Sequence, residues 1–179
     1  MRSPAMGLAL ILAAGLALAA PAVFAQTMPD VACGPGAEAG LPPELAAWAA
    51  KSPLPAATSV TDLPKAVLAP GQAYVAALSP TPDVTYAVQP EKPGGTVSKG
   101  GLFSLKVETA GAYVIALGAG AWIDVLKDGA VQRSTAHGRG PACSTVRKMV
   151  TFDLTPGDYL IQISANAQAE LPIMVARKP

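Results

Sequence analysis

The sequence contains one histidine and two cysteines among its 179 residues, and this scarcity limits the metal chemistry that the chain can support. An iron site built from two histidines and one carboxylate needs a second imidazole beside His137. A site combining His137 with Cys33, Cys143, Met149 or Asp124 would lack the residue spacing of zinc and copper sites. We therefore expect no metal and no other cofactor.

Signatures of hydrolytic enzymes are also missing. The sequence has no G-x-S-x-G motif, and His137 has no serine or cysteine at a spacing typical of a nucleophile and its base. A glycosidase-type carboxylate pair would have to come from Asp124, Asp128, Asp153 and Asp158, and nothing in the sequence selects two of them. The residues leave an enzyme open but favour a protein without catalytic activity.

Charged residues are few and balanced. They make up 14% of the chain, and the formal net charge is +1. Arg2 is the only charged residue before Gln26, so the rest of the chain carries equal numbers of basic and acidic residues. Nucleic acid and anionic membranes attract strongly basic surfaces. We therefore expect neither as a main partner.

Only one long apolar run is present, and it lies at the N-terminus. Arg2 precedes the run from Leu8 to Ala20, and Val23-Phe24-Ala25 provides small residues of the kind found at a cleavage site. The run is shorter than a spanning helix requires. This pattern is typical of a secretory signal peptide over residues 1–25. It predicts an exported protein, periplasmic in a Gram-negative source, without a membrane span in the mature chain.

The 154 residues that follow the predicted leader suffice for one domain with a core of its own. Residues 26–70 are rich in proline and alanine and predict an extended lead-in with a short helix at about 42–50. Leu41, Leu45 and Trp48 recur at helical spacing, so we expect this helix to cap an open end of the core. Residues 71–179 form the predicted main domain.

Short runs of β-branched, aromatic and aliphatic residues alternate with glycine and proline turns over residues 71–179, which is typical of antiparallel strands. Asp128-Gly129 is the clearest hairpin signal. The pattern predicts an all-β antiparallel sandwich or jelly roll of about nine short strands. These strands are Gln72–Leu78, Val84–Val88, Leu102–Glu108, Tyr113–Leu117, Trp122–Leu126, Val131–Thr135, Val150–Leu154, Tyr159–Ser164 and Leu171–Val175.

The two cysteines lie in the loop-like contexts ACGPG and GPAC. Two cysteines in an exported chain indicate a disulfide bond between Cys33 and Cys143. Such a bond would tie the N-terminal segment to the strand region.

A basic cluster surrounds the only histidine. His137 lies in a glycine-flanked loop, with Arg133, Arg139, Arg147 and Lys148 nearby in the sequence. Backbone amides next to glycine and these cations suit a carboxylate, a phosphate or a sugar acid. The alternative is a hairpin tip whose charges are only solvated.

Trp122 and Asp124 share one face of a predicted strand and give a second candidate group. An exposed aromatic ring beside a carboxylate can stack on a sugar and hydrogen-bond to it. A strand tryptophan more often fills the core, and an in-strand aspartate more often pairs with a cation such as Arg147. We favour this second interpretation for the pair.

Two resemblances accompany these patterns. The segment from Ala110 to Ser164, AGAYVIAL…WIDVLKDG…VTFDLTPGDYLIQIS, resembles small jelly-roll modules of the bacterial pre-peptidase C-terminal type. That resemblance implies a role in binding or solubility beside secreted enzymes. The runs VTYAVQPEKPGG, GAWIDVLKDG and AHGRGPACSTVRKM resemble small exported alphaproteobacterial proteins of unknown function. Members of that group often carry the automated name homogentisate 1,2-dioxygenase.

The name of that group implies an oxidoreductase with ferrous iron, which the single histidine does not support. We therefore expect an exported, non-catalytic binding or interaction module of the cell envelope. Its partner would be a small anionic or carbohydrate ligand, or another envelope protein. An oxidoreductase with His137 as a metal ligand and a structural envelope protein with exposed strand edges are the alternatives.

Overall fold

The alternating segments form eleven strands in a computed structural model, which describes Cys33 and residues 37–179. Several of the strands are only two or three residues long. The strands are β1 (Lys51–Pro55), β2 (Ala73–Ala77), β3 (Ser79–Pro80), β4 (Lys99–Val107), β5 (Gly111–Leu117), β6 (Trp122–Lys127), β7 (Ala130–Val131), β8 (Ala136–Gly138), β9 (Lys148–Leu154), β10 (Gly157–Asn166) and β11 (Glu170–Arg177). The described helices are short 3-10 segments at Ala37–Gly40, Pro43–Ala49, Val60–Lys65 and Thr81–Asp83.

The strands form two sheets. The first sheet has the order β1-β2-β11-β5-β9-β8, and the second has the order β3-β4-β10-β6-β7. The pair β1–β2 is parallel, and the other pairs are antiparallel. The predicted all-β antiparallel sandwich is therefore confirmed, with more strands than the nine expected.

The main core lies between the two sheets. Tyr113, Ile115 and Leu117 of β5 face it from the first sheet, and Ile161 and Ile163 of β10 face it from the second. These residues occupy alternate positions along their strands, as a sandwich requires. Burial of this apolar surface from both sides is the principal stabilising contribution to the fold.

A second apolar cluster covers the outer face of the first sheet. Val114 and Ala116 alternate with the core residues of β5, and they pack with Leu45 and Trp48 of the 3-10 helix Pro43–Ala49. β5 is therefore buried on both faces. The helix was expected to cap an open end of the core, and that placement is wrong. It lies on a sheet face because Met174 and the alanines of β2 and β11 leave a shallow apolar surface there.

Two segments differ from the predicted secondary structure. Val84–Val88 is a loop, not a strand, and the backbone N–H groups of Ala87 and Val88 bind the side chain of Gln162 in place of a neighbouring strand. Residues 52–70 were expected to be irregular, yet β1 pairs with β2 despite Pro53 and Pro55. Prolines are tolerated there because β1 is an edge strand.

The disulfide bond between Cys33 and Cys143 is present, with 5.2 Å between the Cα atoms. It links the chain before the first strand to the connection between β8 and β9. The predicted leader at residues 1–25 lies outside the described residues. Among the residues that the structure does describe, each helix falls short of the length and apolarity that crossing a bilayer requires.

Candidate functional site

A cleft of about 550 Å³ opens where β6 and β7 of the second sheet meet β8 and β9 of the first. Its lining includes Glu91, Trp122, Asp124, Arg133, His137 and Lys148, and we call it the Trp122 cleft. The volume is in the range of small-molecule sites in proteins. The cleft exists because β7 pairs only with Leu126 and Lys127, which leaves the start of β6 without a neighbouring strand on this side among the described residues.

The bottom of the Trp122 cleft is apolar. Ile123, Val150 and Phe152 contribute to its lining and belong to the main core. Polar side chains therefore surround a surface that is already packed and fixed by the two sheets. A small ligand bound here would contact both apolar atoms and charged groups, as is usual for ligand sites.

Trp122 and Asp124 form the best-defined polar contact of the cleft. They alternate along β6 with Ile123 and Val125, which face the core, so both project from the opposite side of the strand. The Trp122 Nε1–H donates a hydrogen bond of 2.9 Å to Asp124 Oδ1. The side chain of Asp124 is 8% exposed, and its Oδ2 has no hydrogen-bond partner among the described residues.

Burial raises the pKa of the Asp124 carboxyl group. The hydrogen bond from Trp122 and the nearby side-chain amide of Gln162 favour the ionised form and oppose this rise of the pKa, and the nearby negative charge of Glu91 adds to it. Within the described residues the only ion pair joins Lys65 to Asp62, so Asp124 has no cation in direct contact. Asp124 is therefore a buried acceptor with unused hydrogen-bonding capacity.

Two ammonium groups lie close to the Trp122 ring. Lys148 Nζ is 5.4 Å from the ring centroid and Lys92 Nζ is 5.6 Å from it, within the range of cation–π contacts. Lys148 also donates a 2.7 Å hydrogen bond to the Ala121 carbonyl oxygen. Burial lowers the pKa of Lys148. The tryptophan thus contacts an acceptor through its N–H and cations through its ring.

A buried glutamine holds the segment that carries Glu91 and Lys92. Gln162 lies opposite Asp124 in the β10–β6 pairing and is fully buried. Its Oε1 accepts from the backbone N–H groups of Ala87 at 2.7 Å and Val88 at 3.1 Å, and its Nε2 donates to the Val88 carbonyl oxygen at 3.1 Å. These bonds replace the strand pairing that the sequence predicts for this segment.

Two further contacts fix the same segment. The Tyr86 hydroxyl donates to the Ile163 carbonyl oxygen, and the Ser164 hydroxyl donates to the Lys92 carbonyl oxygen. Sequence reasoning did not identify Gln162, Glu91 or Lys92. The one available signal is that Gln162 lies with Leu160 and Ser164 on one side of β10, opposite Ile161 and Ile163.

The structure brings together five of the seven residues singled out from the sequence. Trp122, Asp124, Arg133, His137 and Lys148 all line the Trp122 cleft. Arg133 and His137 are exposed, so the guanidinium group and the imidazole ring remain available to a ligand. His137 lies in the edge strand β8 and not in the irregular loop that was expected, because it pairs with Val150 of β9.

The other two residues line a separate cleft. Arg139 and Arg147 lie beside Cys33 and Cys143 in a space of about 590 Å³, which we call the disulfide cleft. The preferred interpretation of Trp122 and Asp124 is wrong on both counts. Trp122 is part of neither apolar cluster, and Asp124 bonds to Trp122 and not to Arg147.

The iron site that one resemblance implies does not fit the residues around His137. The cleft offers one imidazole with two carboxylates, Glu91 and Asp124. Among the described residues, no three His, Cys, Asp or Glu side chains come together as a metal site would require. We therefore derive no step that uses iron.

Comparison with known proteins adds no relative. No protein-family model matches this chain, and no curated protein matches it either.

Proposed function

We propose that this chain is an exported, non-catalytic binding module of the cell envelope that takes a small anionic or sugar-like ligand in the Trp122 cleft. The carrying observation is that Trp122, Asp124, Arg133, His137 and Lys148 line one cleft with an apolar bottom. An aromatic ring, a buried acceptor and several cations around an apolar surface are the ordinary components of a small-molecule site.

Two features support the exported location. The sequence predicts a secretory leader, and the Cys33–Cys143 disulfide is of a kind that persists in oxidising compartments such as the periplasm. The resemblance to small exported proteins agrees with this proposal.

The only histidine has no hydrogen-bonded nucleophile among the described residues, which supports a non-catalytic role. His137 is exposed, and its side chain makes no hydrogen bond to another described residue. A general base normally contacts the group from which it takes a proton. The imidazole is better placed to meet a ligand directly than to activate a neighbouring side chain.

A structural envelope protein that recruits a partner strand has less support. The edge strands β3 and β7 have two residues each, β8 has three, and β1 contains Pro53 and Pro55. Short edges and edge prolines are the usual means by which proteins prevent strand addition. The binding-module proposal is therefore the one that we develop.

A thermal-shift and calorimetric panel of sugars, sugar acids and small organic acids tests the proposal on the purified mature chain. We expect at least one anionic or hydroxylated compound to raise the melting temperature, and His137→Ala with Lys148→Ala to remove that shift. Asp153→Asn on the exposed side of β9 is the control. A panel that produces no shift, or a shift that survives the double substitution, would contradict the proposal.

A further inference from the structure

The Trp122 cleft has an acidic side and a basic side. Asp124 of β6 and Glu91 of the Gln162-bound segment supply carboxylates, and Arg133, His137 and Lys148 supply basic side chains. Trp122 connects the two, because its N–H is bonded to Asp124 while its ring lies 5.4 Å from Lys148 Nζ. A ligand that satisfies both sides must carry hydrogen-bond donors and a negative charge.

The acidic side has unused capacity for hydrogen bonds. An ionised carboxylate offers about four lone-pair positions, and the hydrogen bond from Trp122 to Asp124 uses one of them, at Oδ1. Within the described part of the chain its Oδ2 has no hydrogen-bond partner, although Asp124 is only 8% exposed. An unsatisfied acceptor in such a place costs free energy that a ligand's donors would recover. Two adjacent hydroxyl groups match a carboxylate with this capacity.

The surrounding charge favours hydroxyl donors over an ammonium donor. Lys92 and Lys148 already lie beside the tryptophan that bonds to Asp124. A ligand ammonium at Asp124 would be repelled by both, whereas a neutral hydroxyl would not. With Arg133, three basic side chains lie near a cleft that holds the two carboxylates of Asp124 and Glu91. The excess of positive charge suits a ligand with one net negative charge.

We propose that the Trp122 cleft is selective for acidic sugars, with their hydroxyl groups on Asp124 and their carboxylate between Arg133 and Lys148. This inference rests on the proposed function and narrows its ligand class. It joins the two ligand types, anionic and sugar-like, in a single molecule. The apolar bottom formed by Ile123, Val150 and Phe152 receives the C–H face of the sugar ring.

Isothermal titration calorimetry with five probes tests the selectivity. Glucuronate and galacturonate carry a carboxylate and several hydroxyl groups. Glucose lacks the carboxylate, and cyclohexanecarboxylate lacks the hydroxyl groups. Glutamine carries a carboxylate and an ammonium group. We expect one of the two hexuronates to bind at least about 10-fold more tightly than each of the other three, as the loss of one charged hydrogen bond or ion pair predicts.

Matched substitutions test which ligand group the acidic side and the basic side of the cleft each bind. Asp124→Asn should weaken hexuronate binding about 10-fold and change cyclohexanecarboxylate binding less than about 2-fold. Arg133→Gln should weaken both. Asp153→Asn, on the exposed side of β9, and Arg139→Gln, in the disulfide cleft, should change neither. Far-ultraviolet circular dichroism of each variant verifies that the sandwich is intact.

The outcomes separate this inference from the broader proposal. Equal or tighter binding of glucose, cyclohexanecarboxylate or glutamine would overturn acidic-sugar selectivity while supporting a binding site. Equal losses of hexuronate and cyclohexanecarboxylate in Asp124→Asn would also overturn it, because Asp124 would then act on structure and not on hydroxyl groups. If none of the five probes binds, the inference fails, and the wider ligand panel decides on the binding module separately.

Discussion

Trp122 and Asp124 are two positions apart on β6, and the indole N–H of one donates to the carboxylate of the other at 2.9 Å. The bond uses the only donor that the tryptophan has. The second carboxylate oxygen has no hydrogen-bond partner in the part of the chain that the structure describes, and Asp124 is only 8% exposed. A buried charge without a partner is costly. An ion pair or an apolar side chain at position 124 would therefore suit the stability of the fold better than this carboxylate does.

Replacement of Asp124 by asparagine should stabilise the ligand-free protein at neutral pH. Burial raises the pKa of Asp124, so the folded protein retains the proton to a higher pH than the unfolded chain. Between the unfolded and folded pKa values the folded state binds more protons, and its stability falls as the pH rises. Asp124→Asn removes this loss. We expect an increase of about 1 kcal/mol in the free energy of unfolding at pH 7, or about 4 °C in melting temperature.

Melting temperatures of the wild type and Asp124→Asn across pH 3 to 7 check this expectation. The difference between them should shrink toward zero at the acidic end, where both side chains are neutral. Asp153→Asn is the control, and its effect should stay within about 0.5 kcal/mol at every pH because Asp153 is exposed. A variant that is less stable than the wild type at pH 7 would show that Asp124 stabilises the fold.

The sequence identified this pair but placed it incorrectly. Alternation on β6 correctly put Trp122 and Asp124 on one side of the strand, away from Ile123 and Val125. Whether that side meets solvent or core depends on which chain segment covers it, and the alternation pattern carries no information about that. The proximity of Lys148 to Trp122 depends on how β9 of the first sheet lies beside β6 of the second sheet, which is equally non-local.

Replacement of Gln162 by methionine should loosen the segment that carries Glu91 and Lys92. The change keeps the length of the side chain but removes its three hydrogen bonds to Ala87 and Val88. Each buried backbone N–H or C=O group that loses its hydrogen-bond partner lowers the free energy of unfolding by about 1–3 kcal/mol unless water reaches it. We therefore expect the amide hydrogens of Ala87 and Val88 to exchange at least about 10-fold faster.

Native-state hydrogen exchange measured residue by residue tests the role of Gln162. Gln132→Met is the matched control, because the Gln132 side chain makes one exposed hydrogen bond, to the Ala130 carbonyl oxygen, among the described residues. Amides of Ile115 and Val175 in the core strands should exchange slowly in both variants. Unchanged exchange at Ala87 and Val88 in Gln162→Met would mean that other contacts hold the segment.

The failed strand at Val84–Val88 shows why such contacts escape sequence reasoning. Its apolar, β-branched and aromatic residues are those that favour a strand. The backbone donors of Ala87 and Val88 bind a side chain that lies 74 or 75 positions further along the chain. By contrast, the Asp128-Gly129 hairpin was predictable because both residues adopt the positive φ that the turn itself demands.

Reduction of the Cys33–Cys143 disulfide should destabilise the domain. The bond closes a loop with a sequence separation of 110 residues, and loops of this length correspond to about 4–5 kcal/mol in the chain-entropy model. We expect dithiothreitol to lower the midpoint of urea unfolding of the wild type. The variant Cys33→Ser with Cys143→Ser should match the reduced wild type and should not respond to dithiothreitol. Equal midpoints for oxidised and reduced wild type would contradict this account.

Substitution of Gly100 by alanine should destabilise the fold through a direct steric conflict. A Cβ atom at Gly100 would lie 2.6 Å from the Ile163 carbonyl oxygen and in overlap with the Tyr86 hydroxyl group. The Ile163 oxygen belongs to the backbone of β10 and cannot move away easily, while Tyr86 would lose its hydrogen bond to that oxygen. Overpacking of this kind costs about 1–3 kcal/mol.

Gly138→Ala provides the matched control, because a Cβ atom at Gly138 would have no heavy atom within 4 Å. Urea unfolding should show a lower midpoint for Gly100→Ala and a change within about 0.5 kcal/mol for Gly138→Ala. Hydrogen exchange at Ala87 and Val88 should also accelerate in Gly100→Ala, because Tyr86 fixes the start of their segment. If both variants unfold at the wild-type midpoint, the steric conflict expected between residue 100, Tyr86 and the Ile163 carbonyl oxygen does not occur.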